Sequence, residues 1–315
     1  MTTPSKPQLS VLDLVPVRQG GSPAEALADA AALAQTAEAA GYRRFWVAEH
    51  HGMTGVAGGA TSVVLAAIGA ATSTIRIGAG GIMLPNHNPF VIAEQFGTLD
   101  ALYPGRIDLG LGRAPGADMR IAQALRKDLG RASEYFPQDV VELRALFTGE
   151  PELALRATPG LGAKVEMWIL GSSLFGAQLA AALGLPYAFA SHFAPDYLDQ
   201  ALELYRRQFR PSEALAQPHV MAAMNVIAAD SDEEAVLLAS SIDQSFVALR
   251  SGTPGQLAML EHMRAVSAVG SPATVASSIA QFIERTKADE IIVSGATFDP
   301  AARRRSLELT MQALA

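Results

Sequence analysis

The chain has 315 residues, no cysteine, 50% hydrophobic and 17% charged residues, and a formal net charge of -7. Without cysteine there are no disulfides, thiolate nucleophiles or cysteine-held metal and iron–sulfur centres. The acidic balance, with no basic run longer than Arg303-Arg304-Arg305, argues against nucleic acid or an anionic membrane as partner. Met1 to Gln8 is short and polar, unlike a secretory leader, and no apolar stretch reaches the roughly 18–20 residues of a membrane span. One cytoplasmic domain over residues 1–315 is therefore expected.

Strand-like runs begin with Leu9 to Val15. A capping-box spacing at Ser22-Pro23-Ala24-Glu25 then opens a helix that Gly41 closes. Phe45 to Ala48 is the second strand and Val63 to Ala71 an apolar, buried helix. Ile75 to Ala79, a helix from Phe90, and Ile107 to Leu111 follow. Helices are expected around Ala117 to Lys127 and Glu134 to Phe147, and then strands at Val165 to Leu170, Tyr187 to Ala190 and Val220 to Ala228. Between the first two of these runs a helix from Leu174 to Leu183 stops at Gly184 and Pro186. A helix from Asp232 to about Leu249, a mobile-looking Ser251-Gly252-Thr253-Pro254-Gly255, a helix after Ser271, a last strand at Ile291 to Val293 and a helix start at Asp299-Pro300 complete the series. The first four strands begin about 30 to 35 residues apart, the length of a strand-plus-helix unit, and their solid apolar character suits strands covered on both faces. The pattern predicts a (β/α)8 TIM barrel with insertions after strands 4 and 7, at Ala114 to Lys164 and Ala229 to Glu290.

In such a barrel, ligands gather at the carboxyl ends of the strands. Strand 2 ends in Glu49-His50-His51, three titratable side chains in a row. Strand alternation turns Glu49 and His51 one way and His50 the other, and an imidazole can pass protons at neutral pH. Two histidines and a carboxylate also suit zinc or iron, but adjacent histidines converge poorly on one ion, so no metal is expected. Gly78, Gly80 and Gly81 close strand 3; Gly110, Gly112 and Arg113 close strand 4. Trp168-Ile169-Leu170-Gly171-Ser172-Ser173 leads straight into a helix, the outline of a phosphate site in which Arg113 could add a bidentate grip, although Ser172 or Ser173 could equally serve as an ordinary N-cap. Asn86 and His87 could reach a ligand while Asn88 caps a helix; His192 ends strand 6, and His219 and His262 read as surface or packing histidines.

Ala48-Glu49-His50-His51, Gly80-Gly81-Ile82-Met83-Leu84-Pro85, Tyr103-Pro104-Gly105-Arg106, Leu109 to Gly116 and Gly184 to Phe193 together resemble the bacterial luciferase-like flavin monooxygenases, in their non-luminous branch. The resemblance implies a TIM barrel that binds reduced FMN, supplied by a separate flavin reductase, and uses O2 to oxidise a small organic substrate. It assigns proton transfer to His50, with Glu49 and His51 beside it. Gly80-Gly81 would form a non-proline cis peptide behind the flavin, and Arg113 with Gly171, Ser172 and Ser173 would hold the phosphate. A homodimer is also implied. Gly112 stands where luciferase carries a cysteine, which puts light emission and aldehyde specificity in doubt. F420-dependent hydride transfer and a non-catalytic flavin-binding protein are the alternatives.

Overall fold

The computed structural model describes residues 8–114, 124, 129–150, 155–249 and 262–314. Its strands are β1 (Gln8–Asp13), β2 (Arg44–Val47), β3 (Arg76–Met83), β4 (Ile107–Gly112), β5 (Glu166–Gly171), β6 (Tyr187–Phe189), β7 (Val220–Ala228), β8 (Ser267–Gly270) and β9 (Glu290–Ser294). They form a parallel sheet that closes where β6 pairs with β7, and the architecture is a (β/α)8 barrel. Burial explains the apolar runs: β7 is buried at all nine positions and β9 at all five, because helices cover the outer face and packed side chains fill the inner one.

The helices begin where local chemistry supplies a cap. In front of α1 (Pro23–Ala40), the Ser22 N–H donates to Glu25 at 2.7 Å and the Glu25 N–H donates to Ser22 Oγ at 3.2 Å, a reciprocal box. The Phe90 N–H donates to Asn88 at the start of α3 (Pro89–Leu102). The Ala301 N–H donates to Asp299 at the start of the last helix (Pro300–Ala313). The helix after β2, α2 (Thr61–Ala71), buries Val64, Leu65 and Ile68 but leaves Val63 69% exposed, so the expected buried helix is buried on one face only.

Two compact units make up the chain. The first holds Asp13–Ala31 and Arg44–Gly171, and in it β2 to β5 run side by side with Gly80 opposite Gly110 and Gly110 opposite Trp168. The second holds the rest, and in it β1 pairs with β9, and β7 pairs with β6, β9 and β8.

Three expectations are corrected. The first strand stops at Asp13 rather than Val15, which turns to a positive φ of 52°. β8, inside the second insertion, is a strand that sequence reading does not find. The N-capping by Ser173 considered above is absent, as the site geometry shows. The first insertion contains α4 (Leu129–Glu134) and α5 (Phe136–Thr148); the helix expected around 117–127 lies almost wholly outside the described residues, as does the 251–255 segment. The second insertion contains α8 (Asp232–Leu249), β8 and α9 (Pro272–Thr286). Two further helices, α6 (Leu174–Leu183) and α7 (Leu198–Gln208), follow β5 and β6. No helix among the described residues is long and apolar enough to cross a membrane.

Candidate active site

In the first unit, chemistry gathers just past the carboxyl ends of β2 and β3. Glu49 is only 1% exposed, an unusual place for a carboxylate, and it survives there because three donors satisfy it. One oxygen, Oε1, accepts from His51 Nε2 at 2.6 Å and from His87 Nε2 at 2.8 Å; the other, Oε2, accepts the Met83 backbone N–H at 3.1 Å. His87 follows the 3-10 turn Leu84–Asn86 that continues β3. Burial pushes the Glu49 pKa up, but the hydrogen bond and charge of His87 and the bonds from His51 and Met83 outweigh it, leaving the carboxyl below its ordinary range. The group is an anion, and an anion only accepts, so each imidazole carries a proton on Nε2.

His50 stands between these anchored neighbours. Its Nδ1 is buried and has no hydrogen-bond partner among the described residues. Burial pulls its pKa below the ordinary imidazole value, the adjacent Glu49 charge opposes this, and His51 reinforces it, with a net lowering. His50 is thus a neutral imidazole at pH 7, able to take up a proton.

Glutamate and two imidazoles are also the inventory of a metal site, and their ligand atoms lie within 4.8 Å of one another. Two imidazoles arranged tetrahedrally on an ion at about 2.0–2.1 Å would have ring centroids roughly 5 Å apart. The rings of His51 and His87 are 6.4 Å apart, while their nitrogens are at hydrogen-bond length from Glu49. This geometry fits protons better than a metal.

The neighbouring strand ends lack side chains where backbone must come close. The Gly80–Gly81 peptide is cis. A Cβ on Gly81 would lie 2.7 Å from the Gly110 carbonyl oxygen, and one on Gly110 would lie 2.4 Å from the Ala79 carbonyl oxygen and 2.6 Å from Leu170. Both positions therefore require glycine. A Cβ on Gly112 would meet nothing closer than the Ile82 carbonyl oxygen at 3.7 Å, so space is open at the end of β4. Arg113 follows, exposed, and Gly171 ends β5 half-buried.

In the second unit, Ser172 and Ser173 are half-buried ahead of α6. Ser173 has the extended backbone of an N-cap, φ -139° and ψ 168°, yet its side chain makes no capping bond. The ordinary capping role is thus not what this serine performs. Asn225, buried on β7, donates to the His192 carbonyl oxygen at 2.7 Å, and the His192 ring meets Phe193 edge-on at 5.0 Å. His219 lies 3.6 Å from the buried Glu290, and His262 pairs with the exposed Asp196 at 2.9 Å, a packing and a surface histidine as expected.

Of the residues singled out in the sequence, the structure brings Glu49, His50 and His51 together. Their partner His87 was foreseen only as facing a ligand. The Asn86-His87-Asn88-Pro89 run marked a polar strand end, but nothing in it pointed toward Glu49. Asn225 carried no signal beyond a polar residue inside an apolar strand.

Comparison with known proteins agrees with this architecture. Residues 8–290 match the family model for luciferase-like monooxygenases. A luciferase-like monooxygenase of Escherichia coli strain K12 is 50% identical over 319 aligned positions, 96% of this chain and 95% of the relative. The crystal structure of apo-MsnO8 matches with a TM-score of 0.89 at 32% identity, covering 98% of both chains. At 19% identity, the oxygenating constituent of 3,6-diketocamphane monooxygenase from Pseudomonas putida, solved with FMN, shares the fold with a TM-score of 0.76 over 98% of this chain and 97% of its own. On a family match across most of its length and close relatives over nearly all of it, this chain belongs to the luciferase-like monooxygenase family.

Proposed function

We propose that this protein is an FMN-dependent monooxygenase that uses reduced flavin and O2 to oxidise a small organic substrate. The carrying observation is His50, a neutral imidazole with an unbonded buried nitrogen, set beside strand ends from which side chains are excluded. When bound, the flavin supplies the electrons and the oxygen chemistry.

The chain's own residues bind, orient and move protons. Gly80 and Gly81 would lie behind the flat ring, and Gly112 leaves open space at the end of β4 beside it. Arg113 offers a fixed cation, and Gly171, Ser172 and Ser173 offer N–H and O–H donors of the kind that hold a phosphate. His50 takes up or delivers the proton of the oxidation step through its imidazole nitrogens; Glu49 is too deeply buried to touch substrate. A separate reductase supplies reduced FMN. Exposed apolar side chains on α2 and α3, Val63, Val91 and Leu102, support pairing of two copies.

Stopped-flow reoxidation of reduced FMN by O2, with and without the protein, tests this reading. The protein should change the time course, and His50→Ala should shift it by about 10²-fold, the lower end of what a positioned acid–base group contributes, while His262→Ala leaves it unchanged. A time course equal to that of free flavin overturns the reading. Hydride transfer with F420 and no response to FMN would move the chain to deazaflavin chemistry.

A further inference from the structure

We infer that Glu49 is a positioning residue: its buried carboxylate clasps the imidazoles of His51 and His87, fixes both in the Nε2–H tautomer, and so sets where His50 stands. The placement of His50 near the reacting groups rests on the function proposed above; the clasp itself does not.

Donor and acceptor counting carries the inference. Glu49 receives three N–H groups, from His51, His87 and Met83, and gives none. Two of these donors belong to the segment around β3, Met83 at its end and His87 just beyond the following turn, and one to the loop after β2. The carboxylate therefore ties two separate strand ends together from a position sealed off from solvent. His50 lies in sequence between Glu49 and His51, so the residues on both sides of it are anchored. Its own Nδ1 has no partner among the described residues, so that nitrogen does nothing to orient the ring. The backbone, held by the clasp on either side, fixes the point from which the ring projects.

Glutamine cannot replace this glutamate. Its amide oxygen could face the two imidazoles, but then its NH2 would face the Met83 N–H; turned over, the NH2 would face both imidazole N–H groups. Each orientation sets donor against donor for as long as both imidazoles keep Nε2–H, so glutamine fits only if a tautomer changes. His87→Gln should be gentler, because the glutamine amide nitrogen reaches about where the imidazole Nε2 stands and still donates. His87→Leu keeps bulk but offers no donor.

The test begins with imidazole 15N–1H correlation spectra of the unaltered protein, which need neither flavin nor substrate. Nε2 of both His51 and His87 should carry the proton, with Nδ1 of each in the unprotonated range. An Nδ1–H tautomer on either histidine overturns the clasp. In Glu49→Gln at least one of the two should change tautomer or lose its slowly exchanging proton; unchanged spectra for both again overturn it. Reoxidation kinetics then test the link to His50. His87→Leu should change the rate by about 10- to 100-fold, the scale of a misplaced reacting group, with the apparent affinity for flavin within about twofold, and His87→Gln should restore most of it. Equal effects of the two His87 variants would reduce the clasp to simple packing. Intact tautomers combined with free-flavin kinetics would overturn the proposed function while leaving the clasp standing.

Discussion

The same four strands, β2 to β5, carry charged residues at both ends, and the two ends are built on opposite principles. At the amino ends, Arg44 and Arg76 meet Asp108 and Glu166. Arg44 lies 2.9 Å from Asp108 and 3.0 Å from Glu166, and Arg76 lies 3.2 Å from Glu166 and also pairs with Asp108. The Trp46 indole N–H donates to Asp108 at 2.9 Å, and the Arg44 guanidinium sits 4.8 Å from the Trp168 ring centre. Two cations thus match two anions, and guanidinium does not titrate in the physiological range. At the carboxyl ends, one buried carboxylate is matched by imidazole N–H groups rather than guanidiniums, and glycines take the place of side chains. Matched permanent charges fix the barrel; protons that can move, beside exposed backbone, leave it able to act.

The most severe way to break this contrast is at Arg44, whose side chain is 2% exposed. Arg44→Met should lower unfolding stability by about 1.5–3 kcal/mol, because it removes one of the two guanidiniums at the buried Asp108 and leaves Arg76 and Trp46 to satisfy it. Urea denaturation measures this, and the tautomers of His51 and His87 in the folded variant should be unaltered. Glu166→Gln should cost within about 1 kcal/mol, since that side chain is 36% exposed and water screens the pair.

Acid sharpens the contrast at smaller amplitude. The His50 pKa is lowered from about 6.5, so the unfolded chain binds its proton first and stability should fall as pH drops below that value. The Glu49 pKa is lowered from about 4.5, so its contribution is present above that pH and is lost as pH falls through the lower folded value. Denaturation midpoints from pH 7 downward should therefore decline in two arms, with His50→Ala flattening the upper one and Glu49→Gln the lower. A single arm unaffected by either variant contradicts the assignment.

How far the sequence could be read follows from the range of the forces involved. Barrel strands such as β7 and caps such as Ser22, Asn88 and Asp299 were legible, because apolar runs and capping offsets act over a few residues. β8 was not, being four residues, Ser-Ala-Val-Gly, two of them buried. The Glu49–His87 contact spans 38 residues and the Trp46–Asp108 contact 62. Both depend on the pairing register of neighbouring strands, which no local period encodes. The burial of Glu49 was also hidden, since charged residues are almost never buried without a partner and the partner was out of range. From the residues alone Glu49-His50-His51 read as three candidates, of which the resemblance singled out His50 for proton transfer, and the structure divides them into one anion, one anchored imidazole and one imidazole left with an unbonded nitrogen.

The measurement that bears most directly on the account is an equilibrium titration of the purified protein with FMN, followed by flavin fluorescence, with F420 in parallel. Saturable FMN binding is predicted, weakened about 10- to 100-fold in Arg113→Ala by loss of a charge-assisted contact of about 1.5–3 kcal/mol. Absence of saturation with FMN, or binding of F420 alone, would contradict it.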